Sequence, residues 1–134
     1  MIPYWMSRTQ LMLGDEILEK LMNKNVLVIG LGGVGAICAE MIVRAGVGKI
    51  TIVDNDLVDE SNINRQIQAL HSTAKQPKAQ VLAARLKDIN PNLDLTVLEI
   101  YIREKITIDL IEKEHITIIY TVPSAYIRLL IKTE

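Results

Sequence analysis

Val26-Leu27-Val28-Ile29-Gly30-Leu31-Gly32-Gly33-Val34-Gly35 is an apolar run that ends in a glycine turn, and its reading decides the fold. A segment that is apolar at every position is expected of a strand covered on both faces. Glycines at the first, third and sixth places of the turn remove the Cβ atoms that would hold a phosphate away from backbone N–H groups. Those groups lie at a helix N-terminus, where the dipole favours an anion. Gly33 is an additional glycine that a mere turn does not need. A tight strand-to-helix connection without a ligand is the other reading of such a turn, and Gly33 favours the phosphate.

Gly, Pro and Asn divide the chain on either side into alternating strands and helices. Ile17, Leu18, Leu21 and Met22 share one face of a short helix that Asp15 can cap and Asn23-Lys24-Asn25 ends. Ala36 to Ala45 reads as a helix of mostly small residues, stopped by Gly46 and Gly48. Lys49 to Val53 is a second strand, ending at Asp54. Ser72-Thr73 and Pro77 introduce a helix in which Ala79, Leu82, Ala83, Leu86 and Ile89 repeat at helical spacing, until Asn90-Pro91-Asn92 breaks it. Leu93 to Ile100 reads as a third strand, Lys105 to Lys113 as a helix, Ile116 to Ile119 as a fourth strand and Ser124 to Lys132 as a last helix. This alternation predicts an α/β fold, a Rossmann-like, doubly wound, mainly parallel sheet. Residues 1–134 are expected to form one domain, with a helical segment over 1–24, a nucleotide-binding core over 25–122 and a divergent tail over 123–134.

The length of 134 residues suits one domain, since ~100–150 residues is the commonest size. Hydrophobic residues at 49% and charged residues at 23% describe a globular chain rather than a disordered one. Fifteen basic against sixteen acidic side chains leave a net charge of −1, so no global positive field draws the protein to nucleic acid or to an anionic membrane. Cys38, the one cysteine, cannot form an internal disulfide or a zinc cluster, which points to a reducing, cytoplasmic setting. Met1 to Met6 lacks the pattern of a secretory signal, and no apolar run is long enough to span a bilayer. Cys38 reads as a small packed helix residue rather than a nucleophile, and His71 and His115 as loop or surface residues without a metal-binding partner.

Asp54 closes the second strand 24 residues after Gly30, where a carboxylate accepts hydrogen bonds from ribose hydroxyls. Asp56 is an even candidate for the same work or for a solvated turn. To this point NAD, FAD and ATP fit equally well. Arg65, followed by Lys78 thirteen residues later, separates them. A triphosphate under attack needs positive charge on its departing oxygens, whereas a dinucleotide pyrophosphate rests mainly on backbone N–H groups. Arg65 supplies a planar fork and Lys78 a point charge, with Asn62, Asn64 and Gln66 as neutral donors. A lysine in the first turn of a helix opposes the dipole, which suggests that an anion is expected there.

The run from Gly30 to Lys78 resembles the nucleotide site of the ubiquitin-activating-enzyme-like (ThiF/MoeB/HesA) superfamily, which includes the bacterial sulfur-carrier adenylyltransferases. Ser7-Arg8-Thr9-Gln10-Leu11-Met12-Leu13-Gly14, Arg44-Ala45-Gly46-Val47-Gly48-Lys49 and Asn62-Ile63-Asn64-Arg65-Gln66 look most like the tRNA threonylcarbamoyladenosine dehydratases. His71-Ser72-Thr73, Pro77-Lys78 and Asp88-Ile89-Asn90-Pro91 support the same subgroup. The resemblance implies ATP and Mg2+ as cofactors. It places Gly30, Gly32, Gly33 and Gly35 along the phosphates, Asp54 on the ribose, and Asn62, Arg65 and Lys78 on the triphosphate. Arg8 matches an arginine that reaches the neighbouring subunit's ATP in a homodimer. The implied reaction is adenylation of the threonylcarbamoyladenosine carboxylate on tRNA, followed by loss of AMP and ring closure. No enzyme nucleophile is needed for the first step.

Two departures shape the expectation. The family carries an Asp-x-x-Asp pattern after the fourth strand, one acid of which helps position magnesium, but the aligned stretch reads Tyr120-Thr121-Val122-Pro123. The resemblance also covers only about the first half of a typical member, so the C-terminal half of the family fold is expected to be absent and catalysis weak. Three readings follow: a tRNA-modifying or carrier-protein-activating adenylating enzyme, an ATP-binding module without turnover, and a dinucleotide oxidoreductase, against which Arg65 and Lys78 speak.

Overall fold

The computed structural model describes residues 1–101 and the main chain of 117–120. Helices α1 (Ser7–Leu13) and α2 (Asp15–Met22) lead into β1 (Asn25–Ile29), α3 (Gly35–Arg44), β2 (Lys49–Val53), α4 (Lys78–Ile89), β3 (Asp94–Leu98) and β4 (Thr117–Tyr120). The strands form one parallel sheet in the order β3-β2-β1-β4. Each sequential pair β1-β2 and β2-β3 is joined through a helix, as parallel neighbours require. The register aligns Ile29 with Val53 on one side and with Tyr120 on the other, so all carboxyl ends meet at one edge.

Alternation along β1 sends side chains to opposite faces. Val26 and Val28 join Ile50 and Ile52 against Ala39 and Val43 of α3 and Leu82 and Leu86 of α4. Leu27, Ile29 and Val53 fill the other face with Leu98 and Ile100. Both faces are therefore buried, which is why β1 is apolar throughout. Full burial of Leu82 or Leu86 contributes about 1.5–3 kcal/mol each. The small residues of α3, Ala36 and Ala39, bring that helix close to the sheet.

Several boundaries differ from the sequence reading. The short helix expected around Ile17 to Met22 is α2, and a further helix, α1, precedes it across Gly14. Asp15 does not cap α2 but begins it, and its carboxylate accepts instead from the Gln10 side chain at 2.9 Å. Ile17 is half exposed, whereas Leu18 is fully buried. Helix α4 starts at Lys78, because Ser72-Thr73 form a separate 3-10 turn, His71–Thr73. The third strand is shorter than expected, Asp94–Leu98, and the fourth shifts by one residue to Thr117–Tyr120. The helices expected over 105–113 and 124–132, the tail over 123–134 and His115 lie outside the described residues.

Outside the site, Glu40 is a charge that helical patterning does not announce. Its side chain is 3% exposed and accepts from Arg44 at 2.9 Å and from the Arg85 guanidinium, tying α3 to α4. The Arg85 hydrogen bonds hold its carboxyl below the usual carboxylate range against the opposing pull of burial, with Arg44 adding to the effect. Arg44 and Arg85 are thereby engaged within the fold rather than presented as a free basic surface.

Candidate nucleotide site

In a doubly wound sheet, ligands bind beyond the strand carboxyl ends, where successive connections leave in opposite directions. Here that point lies between β1 and β4, since β2 and β3 follow on one side of β1 and β4 stands on the other. The glycine turn begins there. Gly30 has φ +86° and donates its N–H to the Val53 carbonyl at 2.9 Å, a left-handed conformation that an L side chain rarely adopts. Leu31 turns inward and is fully buried.

Two later segments grip Leu31. Its N–H donates to Asp54 Oδ2 at 2.7 Å, and its carbonyl accepts from Gln68 Nε2 at 2.6 Å. Asp54 also accepts the Asp56 N–H on Oδ1 at 2.7 Å. A carboxylate offers about four lone-pair sites, so two remain after these bonds, enough for a pair of ribose hydroxyls.

Gly32 and Gly33 behave differently from Gly30. Neither has a left-handed φ, and a Cβ built on either meets nothing closer than 3.5 Å, an ordinary contact. The unliganded backbone has no need of glycine at these two places. Among the described residues their N–H groups find no acceptor, and they stand at the entrance to α3, whose Ala36 N–H donates back to the Gly32 carbonyl at 3.2 Å. The turn thus presents open N–H donors at a positive helix end in a space that side chains would fill, which suits a phosphate.

Arg65 packs its side chain beside Gly33. Its guanidinium donates from Nη1 to the Ser61 carbonyl at 3.0 Å and to Asn64 Oδ1 at 2.9 Å, which orients the fork at the rim of the turn. Asn62, buried, accepts the Asp59 N–H on Oδ1 at 3.1 Å, while Asp59 accepts from Ser61 N. This reciprocal cap fixes the 3-10 turn Glu60–Asn62, which leads into Arg65. The Ser61 bonds keep the Asp59 carboxyl below its ordinary range.

Lys78 opens α4 with its side chain only 9% exposed, and Nζ stands 3.5 Å from Asp56 Oδ2. The Lys78 N–H also donates to the Asp56 carbonyl at 3.0 Å. Asp56, read from the sequence as a ribose acceptor or a solvated turn residue, pairs with Lys78 in the unliganded fold. Of the expected site residues, Gly30, Gly32, Gly33 and Gly35 form the turn, Asp54 bonds to it and Arg65 packs beside it, Asn62 and Asn64 lie on the segment of Arg65, and Lys78 at the start of α4 pairs with Asp56. Arg8 lies apart on α1, exposed. Among the described residues no three His, Cys, Asp or Glu side chains stand together as a metal site. Magnesium needs no such cage, because it commonly keeps waters and phosphate oxygens and takes one or two carboxylates.

Gln68 is the site residue that sequence reasoning missed. It is 1% exposed, and nothing in a polar residue 37 positions after Leu31 signals the contact. Only the internal Asn-x-Asn-Arg-Gln-x-Gln spacing hints that this segment packs against the turn.

Residues 6–133 match the ThiF family. The chain belongs to the ThiF family. Within it, the chain is 48% identical over 99 residues to the tRNA threonylcarbamoyladenosine dehydratase of Bacillus subtilis, covering 74% of the chain and 39% of that enzyme. It is 41% identical over 93 residues to the sulfur carrier protein ThiS adenylyltransferase of Escherichia coli, covering 67% of the chain and 37% of the relative. The structure superposes with a TM-score of 0.84 on the E. coli tRNA N6-threonylcarbamoyladenosine dehydratase in complex with AMP, at 32% identity over 88% of this chain and 48% of that one. The ATP complex of the same enzyme gives 0.79 at 31% identity, covering 88% of this chain and 49% of that one. The chain therefore spans half or less of the length of these relatives. This ThiF-family chain has the α/β fold of its relatives, and no described helix is long and apolar enough to cross a membrane.

Proposed function

We propose that the chain binds ATP at the Gly30–Gly35 turn and takes part in adenylation of a carboxylate, that of threonylcarbamoyladenosine on tRNA. The observation that carries the nucleotide reading is the pair Gly32-Gly33, whose missing side chains serve no need of the unliganded fold. The dehydratase assignment rests on the similarity to the B. subtilis and E. coli enzymes.

On this reading the turn N–H groups and the α3 dipole hold phosphate oxygens, and Asp54 holds the ribose. Arg65 and Lys78 act as the catalytic cations: they neutralise the charge that grows on pyrophosphate as a substrate carboxylate oxygen bonds to the α-phosphorus and the bond from that phosphorus to the bridging oxygen breaks. The acyl adenylate then loses AMP as the ring closes. Mg2+ bound with ATP would supply further charge neutralisation on its phosphates. Arg8, exposed on α1, acts on the ATP of a second copy in a homodimer, and the setting is the cytoplasm.

Calorimetry of the chain with ATP, AMP and NAD, with and without magnesium, tests the nucleotide reading. ATP is expected to bind in preference to NAD, and tighter NAD binding overturns the proposal. ATP–pyrophosphate exchange, with tRNA bearing threonylcarbamoyladenosine or with a sulfur carrier protein, then identifies the acceptor. The carrier-protein reading is the alternative favoured by the similarity to the ThiS adenylyltransferase. A chain that binds ATP without exchange is a nucleotide-binding module, as the missing Asp-x-x-Asp leads one to expect.

A further inference from the structure

We propose that Gln68 is a positioning residue of the nucleotide site, one that aims the Gly32 N–H at the incoming phosphate. The proposal rests on the ATP reading above. A trans peptide is planar, with its C=O and N–H pointing to opposite sides. The Leu31 carbonyl and the Gly32 N–H belong to the same peptide unit. Gln68 Nε2 donates to that carbonyl at 2.6 Å from inside the fold, so the Gly32 N–H is turned the other way, out of the turn, where no described residue accepts it.

The grip is held from both ends. Asp54 Oδ2 anchors the Leu31 N–H at 2.7 Å, which leaves the 31–32 peptide as the next unit able to rotate, and Gln68 stops that rotation. Among the described residues no peptide bond is cis, and Gly32 has no left-handed φ, so nothing else in the covalent geometry dictates this orientation. One further contact keeps Gln68 in place: its own backbone carbonyl accepts from Thr73 Oγ1 at 2.7 Å. The Gln66 carboxamide, also buried, lies against Gly32. The oxygens Oε1 of Gln66 and of Gln68 are both buried without a hydrogen-bond partner. Burying an unpaired carboxamide oxygen is costly, and a core built for stability alone would place an apolar side chain here.

The test compares wild type with Gln68→Met, which keeps the length and loses the donor, using ATP, AMP and adenosine as ligands in calorimetry. Gly32 faces phosphate only, so the variant is expected to lose about tenfold in affinity for ATP and AMP while adenosine binding stays within about twofold. Gln68→His, whose ring N–H can donate again, is expected to recover part of the loss. A merely structural role predicts equal losses for all three ligands, and that result, or unchanged ATP affinity, overturns the proposal. Should Gln68→Met fail to fold, the 15N-labelled wild type decides. The Gly32 amide resonance should move with ATP and stay with adenosine, and a still resonance under saturating ATP refutes the assignment. Wild type that binds no ATP or AMP refutes the nucleotide reading itself and this proposal with it. Wild type that binds ATP beside a variant that binds it equally refutes the role of Gln68 alone.

Discussion

Asp56→Asn decides between two roles for one carboxylate by the sign of its effect. The substitution changes only the side-chain charge. The Asp56 N–H can still donate to Asp54, and its carbonyl can still accept from the Lys78 N–H, so the local backbone is retained. Asp56 Oδ2 stands 3.5 Å from Lys78 Nζ with the Asp56 side chain 65% exposed. Coulomb attraction at that separation is about 1 kcal/mol in a water-like dielectric, and exposure, salt and side-chain entropy bring exposed pairs to about 0.2–1 kcal/mol. A triphosphate that takes over Lys78 must give up that attraction and must also tolerate the Asp56 charge nearby. Removing the charge therefore tightens ATP binding, by about two- to fivefold at low ionic strength. The gain shrinks as salt rises, because screening weakens the pair it removes.

The competing role, a carboxylate on the ribose, predicts the opposite. Losing charged hydrogen bonds to ribose hydroxyls costs about 1.5–3 kcal/mol, a weakening of roughly tenfold or more. Calorimetry with ATP and with adenosine, at two salt concentrations, separates the cases. The counter-ion role leaves adenosine unaffected and ATP tighter. Weaker binding of both ligands, without salt dependence, would refute the counter-ion assignment and return Asp56 to the ribose.

Gly32→Ala and Gly33→Ala should fold as well as wild type, because both positions have room and an ordinary φ. Thermal unfolding should show a shift within a few degrees, upward if the loss of chain freedom in the unfolded state dominates, while ATP affinity falls about tenfold or more. Unfolding of these variants at much lower temperature would remove the argument for a ligand cradle. Glu40→Gln should lower stability at neutral pH by about 1–2 kcal/mol, since it weakens charged hydrogen bonds to Arg85 and Arg44. The Glu40 carboxyl is held below its ordinary range in the fold, so its contribution is present above the unfolded-state pKa and fades as pH falls through the lower folded value. Denaturant titrations of both proteins should therefore converge in acid, and a gap that persists unchanged there contradicts the assignment. Arg65→Lys should keep stability and lose ATP affinity, because an ammonium cannot reproduce the planar fork set by Ser61 and Asn64. Equal ATP affinity in that variant would reduce Arg65 to a surface charge.

What could be read before the structure was whatever the chain encodes locally. An apolar run on β1, small residues on α3 and helical spacing on α4 each report a nearby requirement, burial on two faces, close approach and one apolar stripe. Those requirements alone gave the alternation from which a parallel sheet follows. The places where the reading slipped are those where a tertiary partner outvotes local pattern. Ile17 fits the apolar stripe of α2 yet is half exposed. Glu40 sits on the buried side of α3, where patterning expects an apolar residue, because two arginines satisfy it, one of them 45 positions away.

The nucleotide site divides along the same line, and the division says what kind of residue each stage can find. Groups that would meet a ligand are legible, because a glycine, an arginine or a lysine carries its chemistry in its own type. Groups that aim them are not. Asp54 was legible as a candidate ribose acceptor, but its bond to the Leu31 N–H shows that it also braces the glycine turn. On the proposed nucleotide reading, ribose and phosphate recognition therefore meet in one side chain. A substitution there should therefore weaken AMP and inorganic pyrophosphate as well as adenosine, although pyrophosphate carries no ribose. Asp54→Asn keeps the shape and a hydrogen-bonding side chain but gives the Leu31 N–H a neutral partner in place of a charged one, worth roughly 0.5–1.5 rather than 1.5–3 kcal/mol. Part of that difference should appear as weaker pyrophosphate binding. Pyrophosphate affinity unchanged in a folded Asp54→Asn variant, with adenosine affinity lost, would show that the turn holds its shape without the aspartate and that the two recognitions are separable.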